Sequence, residues 1–152
     1  MTDTNGGYRL LTAKVEIAEG RYREALELLD RIDARTADEE ADKLVLVGQG
    51  FEGLNDAASA REAYSRARSL APGFPAPVLR EAVLLYRRGD RAGARILLYR
   101  YLQVESGNPE AFYYLALCED DPSRRAESVR RLAILDGSAA TWSSELSRSL
   151  ID

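Results

Sequence analysis

Apolar residues recur at three- and four-residue intervals along the chain, as in Leu26, Leu29 and Ile32 or Leu97, Leu98, Tyr101 and Leu102. That spacing marks one face of an α-helix. Short turn signals break the pattern into pairs, which predicts first helices near 7–19, 39–53, 76–88 and 109–119 and partners near 22–34, 57–70, 91–104 and 123–135. Gly20, Asn55 and Gly89 fall where each first helix must end and reverse, the position at which a left-handed backbone is cheapest for these residue types. Pro72, Pro75, Pro77 and Pro109 fall between pairs, at helix ends where a missing N–H does no harm. Beyond Gly137, Ser138 is a suitable N-cap for a last helix near 139–150, with Trp142, Leu146 and Leu150 as its apolar stripe.

The pairs are copies of one another. A shift of 34 residues carries Gly48 to Ala82, Asn55-Asp56 to Gly89-Asp90 and Ala60 to Ala94; a shift back of 35 lands on Ala13, Gly20-Arg21 and Ala25. Ala116 opens a fourth copy 34 residues after Ala82. The small residues Ala13, Gly48, Ala82 and Ala116 are expected to admit the second helix of their own hairpin through Ala25, Ala60 and Ala94. A helix–turn–helix of this length, with a small residue in its first helix, Gly or Asn at the turn, then Ala, an aromatic or Leu, Ala and Pro, resembles a tetratricopeptide repeat. The second copy carries the pattern most fully, in Gly48, Phe51, Ala60, Tyr64, Ala67 and Pro72. The third departs from it at Tyr101, and the fourth is about two residues short around Asp120-Asp121-Pro122.

The resemblance implies an all-α, right-handed α-solenoid of four repeats, about 6–39, 41–74, 75–108 and 109–137, closed by a C-terminal capping helix and forming one domain over 1–152. It also implies a protein-interaction module that holds a partner helix or peptide in a concave groove lined by first helices. Repeat spacing projects equivalent residues into rows there. Leu79, Val83, Tyr86, Tyr113 and Leu117, with Val45, are expected to supply exposed apolar contact, while Lys14, Gln49 and Glu52 select polar groups. Members that clamp the acidic tails of chaperones carry Lys, Asn and Arg in these rows. Here Lys14 is joined by Leu10, Leu46, Ala76 and Arg80, so that use is not expected. The alternative is self-association through the same apolar surface.

Composition narrows the chemistry. Apolar residues make up 45% and charged residues 30% of 152, which suits a folded chain rather than a disordered one. There is no histidine and one cysteine, Cys118, so the usual general base and the usual zinc ligands are missing. No catalytic, metal or cofactor site is expected, and on these grounds the chain is not expected to be an enzyme. A net charge of −4 speaks against nucleic acid as the partner, and no apolar run reaches the ~20 residues of a membrane span. Arginine outnumbers lysine 19 to 2, which reads as the codon bias of a GC-rich, bacterial genome. The start lacks the features of a signal peptide, so a cytoplasmic location is expected, or export with the signal already removed.

Four local features carry candidate chemistry. Gly48-Gln49-Gly50-Phe51-Glu52-Gly53 is a literal G-x-G-x-x-G after Leu44–Val47. A dinucleotide site would need an acidic residue closing a second strand about 20 residues on, and Ala71-Pro72-Gly73-Phe74-Pro75 cannot be that strand. Within a repeat, Gly48 has a packing role, whereas Gly50 and Gly53 have none and predict a loose helix that alanine at both positions stabilises. Glu119-Asp120-Asp121 reads as a solvated turn and Cys118 as a buried small hydrophobe. Arg87, Arg88 and Arg91 form a basic patch, read first as a solvated outer face and in the alternative as a contact for an acidic stretch on a partner.

Overall fold

The computed structural model describes residues 4–137 and 141–151. These form α1 (Thr4–Ala18), α2 (Tyr22–Asp30), α3 (Ala37–Gly53), α4 (Ala57–Leu70), α5 (Ala76–Arg87), α6 (Arg91–Leu102), α7 (Pro109–Cys118), α8 (Pro122–Asp136) and α9 (Thr141–Ile151). The fold is all-α, with helices paired as the periodicity predicts. The chain divides into two compact units, residues 1–80 and 81–152.

The first three hairpins turn in the same way. Gly20, Asn55 and Gly89 all have positive φ, at 79°, 61° and 87°. In each turn the next N–H reaches back to the first helix: Arg21 to the Glu16 carbonyl at 2.8 Å, Asp56 to Phe51 at 2.9 Å, and Asp90 to Leu85 at 2.9 Å. This 6→1 bond satisfies a carbonyl that the ending helix leaves without a partner. Asp56 and Asp90 then cap the second helix, accepting from Ser59 N–H at 3.1 Å and Gly93 N–H at 2.8 Å.

In the first unit, α1, α2, α3 and α4 pack as successive neighbours, with α1 also touching α3. The core includes Ala13, Leu29, Ile32 and Leu46. α2 stops at Asp30, short of the 34 expected. Side chains from its neighbours take the carbonyls beyond that point: Arg9 donates to Arg31 at 3.1 Å and Lys43 to Ile32 at 3.0 Å. With those oxygens satisfied and Ile32 buried, another helical turn is not needed.

α3 is an unbroken helix through its three glycines, and each glycine has a partner. A Cβ at Gly48 would overlap the ring of Tyr64, a fully buried residue of α4; one at Gly53 would overlap the ring of Tyr22 from α2. One at Gly50 would lie 2.9 Å from Leu26 Cδ2. The expectation that Gly50 and Gly53 lack a structural reason is therefore corrected. They let α2 approach α3 closely, so alanine there meets a side chain rather than solvent.

In the second unit α6 packs on α7, α7 on α8, and α9 on both α7 and α8. α9 caps the array as expected, with Trp142 tilted over Tyr113 at 5.1 Å between ring centroids. Its opening N–H groups are met by the Asp136 carboxylate, which accepts from Ser143 N–H at 2.7 Å. These backbone donors hold the Asp136 carboxyl below its ordinary value. Ser138, the expected cap, lies outside the described residues, as does the side chain of Leu150. Tyr101, which replaces a small residue of the repeat pattern, is buried with its hydroxyl accepting from Asn108 Nδ2 at 2.8 Å. Asn108 also caps α7 through Glu110 N–H at 2.9 Å, so one side chain ties the end of α6 to the start of α7.

Candidate functional site

The residues expected to line a groove fall into two groups by burial. Val45, Leu79, Val83, Tyr113 and Leu117 are all buried, between 1% and 6% exposed. The expectation that they offer an exposed apolar surface is corrected: they are core. For Tyr113 the cause is α9, whose Trp142 covers the ring while Ser149 Oγ lies 3.2 Å from its hydroxyl. Tyr86 is half-buried, its ring edge-on to Tyr114 at 5.3 Å. Tyr114 in turn packs edge-on to Tyr113 at 4.9 Å, so these aromatics form a cluster within the second unit.

The polar group remains accessible. In the first unit Lys14 on α1 is exposed, and Gln49 and Glu52 on α3 are half-buried. Glu52 is also engaged from within, since its carboxylate accepts from the Tyr64 hydroxyl. The contact fixes Glu52 over the second hairpin and gives a fully buried phenol its hydrogen-bond partner. Arg87, Arg88 and Arg91 are exposed. Arg87 also bonds to Tyr114, opposing the upward shift that burial imposes on that phenol.

The turn between α7 and α8 differs from its predecessors. It has no left-handed residue; Glu119 is at φ −83°, ψ 127°. Glu119 is buried, 1% exposed, and not in a solvated turn as expected. Its carboxylate accepts from the Tyr99 hydroxyl and lies 3.7 Å from Arg95 Nη1. Arg95 also reaches Asp120 at 2.9 Å and the Cys118 carbonyl at 3.2 Å. Arg125 donates twice to the Glu119 carbonyl, at 3.1 and 2.6 Å. Arginine side chains from α6 and α8 thus satisfy the end of α7, where the other hairpins use backbone N–H groups. Arg95 holds the Asp120 carboxyl below its ordinary value, while burial and the bond to Glu119 raise Tyr99. Burial also pushes the Cys118 thiol up to about 11. Among the described residues no group of three or more His, Cys, Asp or Glu side chains could hold a metal. Among them, no helix is long and apolar enough to cross a membrane.

The helices form tetratricopeptide-like hairpins, and solved structures agree. TTC0263, a thermophilic TPR protein of Thermus thermophilus, superposes with a TM-score of 0.76 at 17% identity, over 99% of this chain and 84% of that one. PilF of Pseudomonas aeruginosa gives 0.73 at 19% identity, over 97% and 68%. MamA gives 0.66 at 16%, over 90% and 75%. No protein-family model and no curated protein sequence matches the chain. At these identities the likeness establishes a tetratricopeptide-repeat fold.

Proposed function

We propose that the chain is a protein-interaction module that holds a partner peptide or helix against its first helices. The observation that carries this reading is the accessible polar row of the first unit, with Lys14 and Gln49 at equivalent positions of successive repeats and Glu52 one helical turn beyond Gln49. Lys14 supplies donors, Glu52 acceptors, and the Gln49 amide both. With Val45, Leu79, Val83, Tyr113 and Leu117 in the core, recognition at this row is polar, and it should weaken with salt. Arg88 and Arg91 offer a further contact for acidic groups. The test is capture from a lysate of the native organism, comparing wild type with Lys14→Ala/Gln49→Ala and with Arg88→Glu/Arg91→Glu. Loss of a captured protein supports the corresponding surface; identical capture by all three overturns the reading.

A second reading, self-association, rests on a different surface. Tyr8, Leu11 and Val15 are 70%, 63% and 47% exposed and share one face of α1 by their spacing. Exposed apolar stripes of this kind mark contact surfaces. Light scattering across a concentration series tests it, with Leu11→Lys expected to abolish any rise in mass.

A further inference from the structure

A cleft of about 570 Å³ lies in the first unit, walled by α2 and α4 and floored by α3. This is within the ~300–1,000 Å³ of ligand-binding clefts. Its floor includes Leu44, Val47 and Phe51, which share a helical face at 100° per residue. By the same count Gly48 lies on the α4 side of that face, and Gly50 and Gly53 lie on the α2 side. Tyr64, Leu26 and Tyr22 seat in those notches. The glycines draw the flanking helices onto α3, while the apolar face between them stays open: Val47 and Phe51 remain half-buried. Val45, Gln49 and Glu52 lie on another face of α3, so the cleft is separate from the polar row.

The charges around the cleft are asymmetric. Glu40 and Lys43 pair with each other at 3.2 Å. On the α2 wall Glu27 and Asp30 are exposed, and neither forms an ion pair among the described residues; on the α4 wall Arg66 is in the same condition. An occupant therefore meets two uncompensated negative charges on one side and one positive charge on the other. The floor offers aliphatic and aromatic carbon and no row of hydrogen-bonding groups. An extended peptide would lose the hydration of its backbone there without replacement, whereas a helix satisfies its own backbone.

We propose that this cleft is a second docking surface, occupied by an amphipathic helix of a partner protein that carries lysine or arginine along the flank facing α2. Its apolar residues, at helical spacing, rest on Val47 and Phe51 beside Leu26, in the manner of a helix laid in a groove. α2 is nine residues long, so the bound segment spans about three turns.

Two synthetic helical peptides of about twelve residues test this, with identical leucine faces and either lysine or glutamate along one flank. Fluorescence anisotropy at low salt should show the lysine peptide binding about tenfold more tightly, the gain from roughly 1.4 kcal/mol of charge complementarity. Glu27→Lys/Asp30→Lys, both exposed positions, should reverse that order while leaving the circular dichroism unchanged. Amide shift mapping on the wild-type protein needs no variant, and should place the lysine peptide at Val47, Phe51 and Arg66. Equal binding of the two peptides, binding of neither, or shifts centred on Lys14 and Gln49 overturns the proposal. Any of these results leaves the capture test of the polar row standing.

Discussion

The first helices α3 and α7 occupy equivalent places in their hairpins and are held by opposite means. α3 takes its neighbours by omitting side chains: Tyr64, Leu26 and Tyr22 fill the spaces above Gly48, Gly50 and Gly53. α7 has no glycine and is buried on nearly every side, from Ala111 through Cys118 with few interruptions. Its C-terminal end is held by long polar side chains instead, through Tyr99, Arg95 and Arg125 around Glu119. The turns differ in the same sense. The hairpin of α3 reverses through a left-handed Asn55 and a backbone 6→1 bond, and that of α7 through arginines. Close packing and a short turn need the right small residue at one position. A polar clamp needs several residues from separate helices, and can replace the turn when the hairpin is short of it.

If the clamp holds α7, Glu119→Ala should have the largest effect, because it strips the Tyr99 hydroxyl and Arg95 of a buried partner. We expect a loss of about 3 kcal/mol by urea denaturation; a change within experimental scatter would remove the clamp from the account. Gly48→Ala should come next, at about 2–3 kcal/mol, since Tyr64 has no free space to move into. Gly53→Ala should lose less, because Tyr22 is half-buried and can swing outward. For Gly50→Ala the ~1 kcal/mol of helix propensity offsets the contact with the flexible Leu26. A rise in melting temperature for all three would dissolve the contrast with α7. Arg125→Ala, which leaves the Glu119 carbonyl short of donors, should cost about 1–2 kcal/mol. Gly89→Ala should cost about 1 kcal/mol, through the positive φ alone.

Smaller effects bear on titration. Asp56, Asp120 and Asp136 are each held below the ordinary carboxylate value of 3.8, chiefly by Ser59, Arg95 and Ser143 in turn. A depressed folded-state value gives stability that is present above the unfolded value and disappears as pH falls through the folded one. The melting temperature should therefore be nearly flat from about pH 5 to 8, there being no histidine, and fall below about pH 4. Asp120→Asn should flatten the acid limb. With its thiol raised to about 11 and its side chain buried, Cys118 should stay unmodified by a thiol reagent at pH 8 until the protein unfolds.

Much of the architecture is legible in the amino-acid order because it is local. Helix α4 runs from Ala57 to Leu70 as its periodicity predicts, and the three positive-φ turns fall on Gly20, Asn55 and Gly89. Such features depend on residues within a few positions of one another. A missed signal of the same kind is Thr36 with Glu39, where the threonine accepts from Glu39 N–H at 3.1 Å and the glutamate from Arg35 N–H at 2.8 Å; it starts α3 two residues earlier than expected.

The candidate site was far less legible. Row positions follow from the repeat spacing, but exposure depends on what lies across from each residue. Tyr113 becomes core because Trp142, 29 positions on, covers it, and Glu119 is buried because α6 supplies its partners. The G-x-G-x-x-G is the clearest case. Its helical setting could be read from the flanking prolines and the repeat, and so could the role of Gly48. The function of Gly50 and Gly53 could not, since Leu26 and Tyr22 meet them only after α2 has folded back against α3. Backbone preference and periodicity are written in neighbouring residues; close contact between helices is a property of surfaces that exist only once those helices are packed.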